Sequence, residues 1–229
     1  MNDIFARLER VRAQILAAAR MAGRDPTEIG LVAVSKAQNA SAVREALDAG
    51  QGIFGENRAQ ELVAKAPLLP LSTRWHFIGH LQRNKIRKIL PLVELIHAVD
   101  SVELALDIDR IATELGLFPR VLLEVNVSGE RTKFGFTPEA LRERMERLLA
   151  LRRVQVEGLM TIAPLGESPE DARPFFIKLR DLRDEVAAAS AAPLSTLSMG
   201  MSGDFVTAVE EGATLVRVGT AIFGPRTDP

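Results

Sequence analysis

The stretch "LVAVSKAQNASAVREALDAGQGIFGE", Leu31 to Glu56, decides the fold. It opens on a short apolar run, "LVAVS", that reads as a buried strand. Ser41 to Ala49 follow at helical spacing, with Ser41 as the expected N-cap and Gly50 as the stop. A second short strand, "GIFGE", completes a strand–helix–strand unit. Such a unit joins parallel strands through a crossover helix. Lys36 sits where the first apolar run breaks, although lysine is among the residues least often buried unpaired.

Outward from that unit the pattern repeats. Toward the N-terminus, Ile4, Leu8, Val11 and Ile15 recur at helical spacing among charged residues, so a helix is expected over residues 1–22, followed by a turn at "GRDPTEIG". Toward the C-terminus, a helix from Arg58 to Lys65 ends at "APLLPL", and "WHFIG" is the third strand. Helices are expected at Gln82–Leu90, Val102–Leu115, Pro138–Leu151, Pro169–Ala189 (interrupted by Pro174) and Gly203–Gly212. Between and after them lie the strands "VELIHAVD", "RVLLEVNV", "VQVEGLMT", "STLSM" and "TLVRVG". Eight strands alternating with helices, with no linker, predict one α/β domain over 1–229, a closed (β/α)8 TIM barrel. The open doubly wound sheet is disfavoured because no G-x-G-x-x-G follows the first strand. Little chain follows the last strand to form an eighth outer helix, and the N-terminal helix is expected to pack on the barrel in its place.

Composition removes several function classes. The 229 residues carry a formal charge of −1, with 29 Lys+Arg against 30 Asp+Glu, so the basic excess of a nucleic-acid binder is missing. No apolar run approaches the ~20 residues of a membrane span. The N-terminal stretch has no signal-peptide core, and Asp3 and Glu9 argue against a transit peptide, so a cytoplasmic protein is expected. Without cysteine there is no disulfide, thiol chemistry or cysteine-held metal. Without tyrosine, and with only His76, His80 and His97, acid–base chemistry falls to these histidines, to lysine or to carboxylates. The histidines are too scattered for a metal site, and His76 and His97 read as hydrogen-bonded core residues.

In a barrel of this kind, sites form where the C-terminal ends of the strands converge. The residues expected there are Lys36, Glu56 with Asn57, Gly79 with His80, Asp100, Asn126, and Met160 with Thr161; "SMGMSGDF" and "RVGTAIFG" close the last two strands. A lysine in a partly apolar mouth makes sense as a reactive amine, since desolvation favours its neutral form. The glycines of "GMSG" and "GT", with the hydroxyls of Ser202 and Thr220, suit a phosphate. Such a cup, expected across the mouth from Lys36, points to an aldehyde bearing a phosphate. Pyridoxal 5′-phosphate (PLP) fits, and so does a sugar phosphate in a Schiff-base aldolase; spacing alone leaves both open. Arg217, two residues before Gly219, could reach the pyridine nitrogen of PLP and, being always charged, would keep it unprotonated. Taken singly, Lys36 reads as a solvated strand end, "GMSG" as a turn and Arg217 as an ion-pair partner; together at one mouth they favour a phosphate-bearing ligand. Lys133 in "GERTKFGF" is the second choice of reactive lysine and reads better as an exposed loop residue, while basic "QRNKIRKIL" reads as a solvated helix face.

The blocks "AVSK", "FGENRAQE", "WHFIGHLQRNK", "TKFGF", "GLMTIAP", "LSMGMSGDF" and "VRVGTAIFG" together resemble the pyridoxal phosphate homeostasis protein family, in order and over nearly the whole chain. The resemblance implies a barrel like the N-terminal domain of alanine racemase, and PLP held as an internal aldimine on Lys36. It implies phosphate contacts from Ser202, Gly219 and Thr220, a pyridine-nitrogen partner in Arg217, and Asn57 beside the ring. It implies a carrier that buffers PLP and regulates vitamin B6 and amino-acid pools, with PLP-dependent apo-enzymes as recipients, no catalytic residues and no metal. "SKAQN" departs from the family's usual "SKTKP", which leaves Lys36 intact and alters positions 37 to 39. The alternative is a racemase-like enzyme using Lys36 as base. Related racemases oppose their lysine with a tyrosine from a second domain, and this chain has neither, leaving His80 as the substitute base. The carrier is therefore the expectation, and a monomer with it.

Overall fold

A computed structural model describes residues 4–225 of the chain. Its strands are β1 (Gly30–Val34), β2 (Ile53–Glu56), β3 (Arg74–Phe77), β4 (Leu95–Val99), β5 (Arg120–Glu124), β6 (Gln155–Met160), β7 (Thr196–Ser198) and β8 (Leu215–Val218). They close in sequence order, every pair parallel, and β8 returns to β1 with Ala33 opposite Val218. Each expected strand is present; most are shorter than the apolar run, while β1 and β3 begin one residue earlier than expected.

The helices are α1 (Ile4–Met21), α2 (Ala40–Asp48), α3 (Ala59–Lys65), α4 (Ile86–Ile89), α5 (Val102–Leu115), α6 (Pro138–Leu149), α7 (Arg173–Ser190), α8 (Phe205–Glu210) and α9 (Thr220–Phe223). Helix α1 buries Ile4, Leu8, Val11, Ile15, Ala18 and Ala19, a stripe at helical spacing, against α2, α8 and α9. It fills the outer ring where, among the described residues, only the single turn of α9 follows β8; residues 1–3 of the expected 1–22 helix, like 226–229 of the expected domain, lie outside the described residues. No helix among the described residues is long and apolar enough to cross a membrane.

Three expectations change. The N-cap of α2 is Asn39, not Ser41: its side chain accepts from Ala42 N at 2.8 Å, and its extended backbone stops the helix from starting earlier. The helix expected over Gln82–Leu90 is broken into a tight turn at Arg83–Lys85, the single turn of α4, and a second tight turn at Leu90–Leu92 around Pro91. It lacks a side-chain cap, and Pro91 denies it another turn. The long helix starts at Arg173 after a tight turn over Pro169–Ala172, so Pro174 occupies its first turn rather than interrupting it.

Two layers of side chains build the core. The larger packs the outer strand faces, including Ala33, Phe54, Ile96, Leu123 and Val216, against the helices. A smaller cluster joins Leu95, Ala98, Leu122 and Met160, with Leu215 against it. Val32 and Val34 share the barrel interior with the buried polar side chains of His76, His97, Ser198 and Arg217.

Candidate functional site

Side chains alternate along β1. Ala33 and Ser35 face outward, Ser35 donating to Glu56 at 2.7 Å, while Val32 and Val34 take the inner face. Lys36 continues the inner face just past the strand and is half-buried at the mouth. Glu56, expected at the mouth, is instead buried behind it, because the parity of β2 turns it toward α3. There its Oε1 accepts from Ser35 and from Lys65, and Lys65 also donates to the carbonyl of Ser35 at 2.9 Å. Burial pushes the Glu56 carboxyl up, against the pull of Lys65. This clamp fixes the strand end that carries Lys36. The next residue, Ala37, is held left-handed at φ 60°, its N–H donating to Glu61 at 2.9 Å. A left-handed non-glycine costs roughly 1–2 kcal/mol, so the backbone is strained immediately beside the lysine.

The phosphate-type cup lies at the start of α9. Ser202 Oγ accepts from Gly219 N at 3.1 Å and from Ala221 N at 3.4 Å, and Thr220 is exposed beside it. Barrel closure sets this cup next to Lys36, not across the mouth as expected, since β8 pairs directly with β1. A Cβ on Gly219 would come within 3.3 Å of Val34 O.

Arg217 is 4% exposed. Nη1 donates to Ser198 Oγ at 2.5 Å and Nη2 to Thr161 O at 2.9 Å. Burial pushes its pKa down to about 10, opposed by Glu124 and Asp204. Ser198 Oγ also meets His97 Nδ1 at 2.9 Å, and His97 Nε2 meets His76 Nδ1 at 2.9 Å. The contact from β7 to β4 skips two strands, so it must cross the barrel interior. His76 and His97 are hydrogen-bonded core residues, as expected.

The rest of the mouth is mixed. Asn57 Oδ1 is buried with no partner among the described residues, in a cavity of about 530 Å³ that Arg58, Glu61, His80 and Lys85 also line. Gly79 lets the β2 and β3 loops meet: a Cβ there would lie 2.4 Å from Asn57 O. His80 bonds Asp100 at 2.8 Å and stacks on Phe134 at 4.2 Å. Lys133 pairs with Glu130 at 2.9 Å in its loop, as expected of a loop residue, but is half-buried rather than exposed. Asn126, expected at the mouth, spends its Oδ1 on Gly129 N and its Nδ2 on Glu130 O, bracing that loop. Met160 and Thr161 are buried, Thr161 against Val125 O at 2.7 Å.

Glu124 is the site residue the sequence reading missed. It ends β5, is 7% exposed, and is pushed up to about 7 by burial and then by Asp100, against Arg217 and His80. Its signal was parity with Leu122, masked by extending the strand to Val127.

A closed parallel barrel with a lysine past β1, a serine and amide cradle at β8, and a buried arginine between them belongs to the class of the alanine racemase N-terminal domain, the family description matched over residues 6–227. Within that class, the chain belongs to the pyridoxal phosphate homeostasis protein family. It is 47% identical to the pyridoxal phosphate homeostasis protein of Aquifex aeolicus, covering 96% of this chain and 97% of that one. PipY of Synechococcus elongatus, whose structure has PLP bound, superimposes with a TM-score of 0.87 at 42% identity, over 97% of this chain and all of that one. Alanine racemase of Clostridium difficile shares the fold at 15% identity and a TM-score of 0.73, over 95% of this chain and 57% of that one.

Proposed function

We propose that the protein binds PLP at the mouth formed by β1 and β8 and holds it as a carrier, without turnover. The observation that carries this reading is Arg217: a buried guanidinium, able only to donate, lies two residues before the Ser202–Gly219 cradle on the strand beside Lys36. The residues fit the cofactor. Ser202, Gly219, Thr220 and the amide of Ala221 would take the phosphate, and Arg217 would donate to the ring nitrogen. Asn57, with an orphaned buried oxygen, would flank the ring. When bound, PLP supplies an aldehyde and an electron-withdrawing ring. Lys36 would supply the amine that holds that aldehyde.

A ring nitrogen facing an arginine stays unprotonated and withdraws electrons weakly, which favours holding over turnover. The chain has no tyrosine to oppose Lys36, and the alternative base, His80, is tied to Asp100 and stacked on Phe134. PLP-dependent apo-enzymes in the cytoplasm are the recipients this role calls for. The test is a visible absorption spectrum with added PLP, for the protein and for Lys36→Ala, together with an alanine racemisation assay. A band above that of free PLP, absent from Lys36→Ala, with no racemisation, is expected. No band in the unaltered protein would refute binding, and racemisation at enzymatic rates would refute the carrier role.

A further inference from the structure

We propose that Ser198, His97 and His76 are positioning residues for Arg217, forming a one-directional hydrogen-bond chain through the barrel that fixes the guanidinium beneath the mouth. The inference rests on the reading that Arg217 faces the cofactor's ring nitrogen.

The direction follows from donor and acceptor counting. Arginine has no acceptor, so Ser198 Oγ must accept from Arg217 Nη1. The other partner of that hydroxyl is His97 Nδ1, and Ser198 is fully buried, so its own proton goes to His97. A neutral His97 that accepts at Nδ1 carries its proton on Nε2 and donates it to His76 Nδ1. His76 in turn carries its proton on Nε2, the one buried imidazole atom of the chain with no partner among the described residues. His76 borders a polar cavity of about 570 Å³ at the opposite end of the barrel, where Arg74 and Arg120 meet Glu94 and Glu157.

Reversing the chain would put two donors on Ser198 Oγ and leave the serine proton buried without an acceptor. Burial pushes His76 down to about 4 and His97 well below its ordinary value, so both stay neutral near pH 7. Two of the five guanidinium N–H groups are spent on Ser198 and Thr161 O, which leaves three for other acceptors. The chain through Ser198 and the carbonyl of Thr161 together hold the guanidinium in one orientation.

The first test uses the apo-protein and needs no cofactor. Long-range ¹⁵N–¹H correlation spectra of the histidine rings at pH 7 report each tautomer, with His80→Gln assigning the exposed ring. Both buried rings are expected as Nε2–H, and Nδ1–H on either would overturn the proposal. The second test is Ser198→Ala, checked by circular dichroism and thermal midpoint. With the fold retained, the His97 tautomer is expected to become mixed, the bound-PLP band to shift, and the Kd for PLP to rise about tenfold, as for one charge-assisted hydrogen bond. Ser198→Thr, which keeps the hydroxyl, is expected to restore band and affinity. An unshifted band and unchanged Kd in Ser198→Ala would overturn the positioning role even with the tautomers as expected. If the unaltered protein binds no PLP, the proposed function fails while the tautomer result stands by itself.

Discussion

Glu124→Gln should change how stability depends on pH, in a direction opposite to most carboxylates. Glu124 is 7% exposed, and burial and Asp100 push its pKa from 4.5 up to about 7. A raised folded pKa means that the folded protein binds a proton the unfolded chain has released between those values. Its stabilisation is therefore fully present below 4.5 and lost as pH rises through about 7. At about 1.4 kcal/mol per unit, the shift is worth ~3 kcal/mol. Glutamine mimics the protonated carboxyl at all pH values. The variant should match the unaltered protein at pH ~4 and exceed it by ~3 kcal/mol at pH ~8. Every other titrating group is common to both proteins and drops out of the difference. Urea unfolding at five pH values between those limits measures it. Parallel stability curves, or a variant that is less stable at pH ~8, would refute the reasoning about burial and Asp100.

Ala37→Gly should stabilise the protein by about 1 kcal/mol, since glycine adopts the φ of 60° at that position without steric cost; a thermal midpoint that falls would contradict the strain. Lys65→Met should cost about 3–5 kcal/mol, because it strands the buried Glu56 carboxylate, whereas pairing it with Glu56→Leu should recover most of the loss. Chemical denaturation of the single and double variants checks this, and equal losses in both would contradict it. Arg217→Gln should weaken PLP binding about tenfold and shift the absorption band, as one charge-assisted contact is lost; an unchanged band would count against contact with the ring nitrogen.

The barrel was legible in the sequence because its code is local. Short apolar runs alternating with amphipathic helices, from "LVAVS" to "TLVRVG", placed each strand to within a few residues. Lys36 was legible for the same reason, as the break in one run. What the sequence hid depends on strand parity and on closure. Glu56 and Lys36 both sit at strand ends, yet one faces a helix and the other the mouth, because their strands enter with opposite parity. Closure of β8 on β1 moved the serine cradle beside the lysine. The Arg217–Ser198–His97–His76 chain joins four strands of wide sequence separation, and no local pattern marks it. Helix α4 failed as a sequence reading because apolar spacing at Ile86 and Ile89 does not reveal a missing cap.

The central claim is that Lys36 alone holds the cofactor's aldehyde. The chain has six lysines, at 36, 65, 85, 88, 133 and 178. Borohydride reduction of the PLP-loaded protein, followed by peptide mass mapping, identifies which of them carries the cofactor. The account predicts one pyridoxyl group per chain on the peptide containing Lys36; a label on Lys133 or Lys65 with Lys36 unmodified would contradict it.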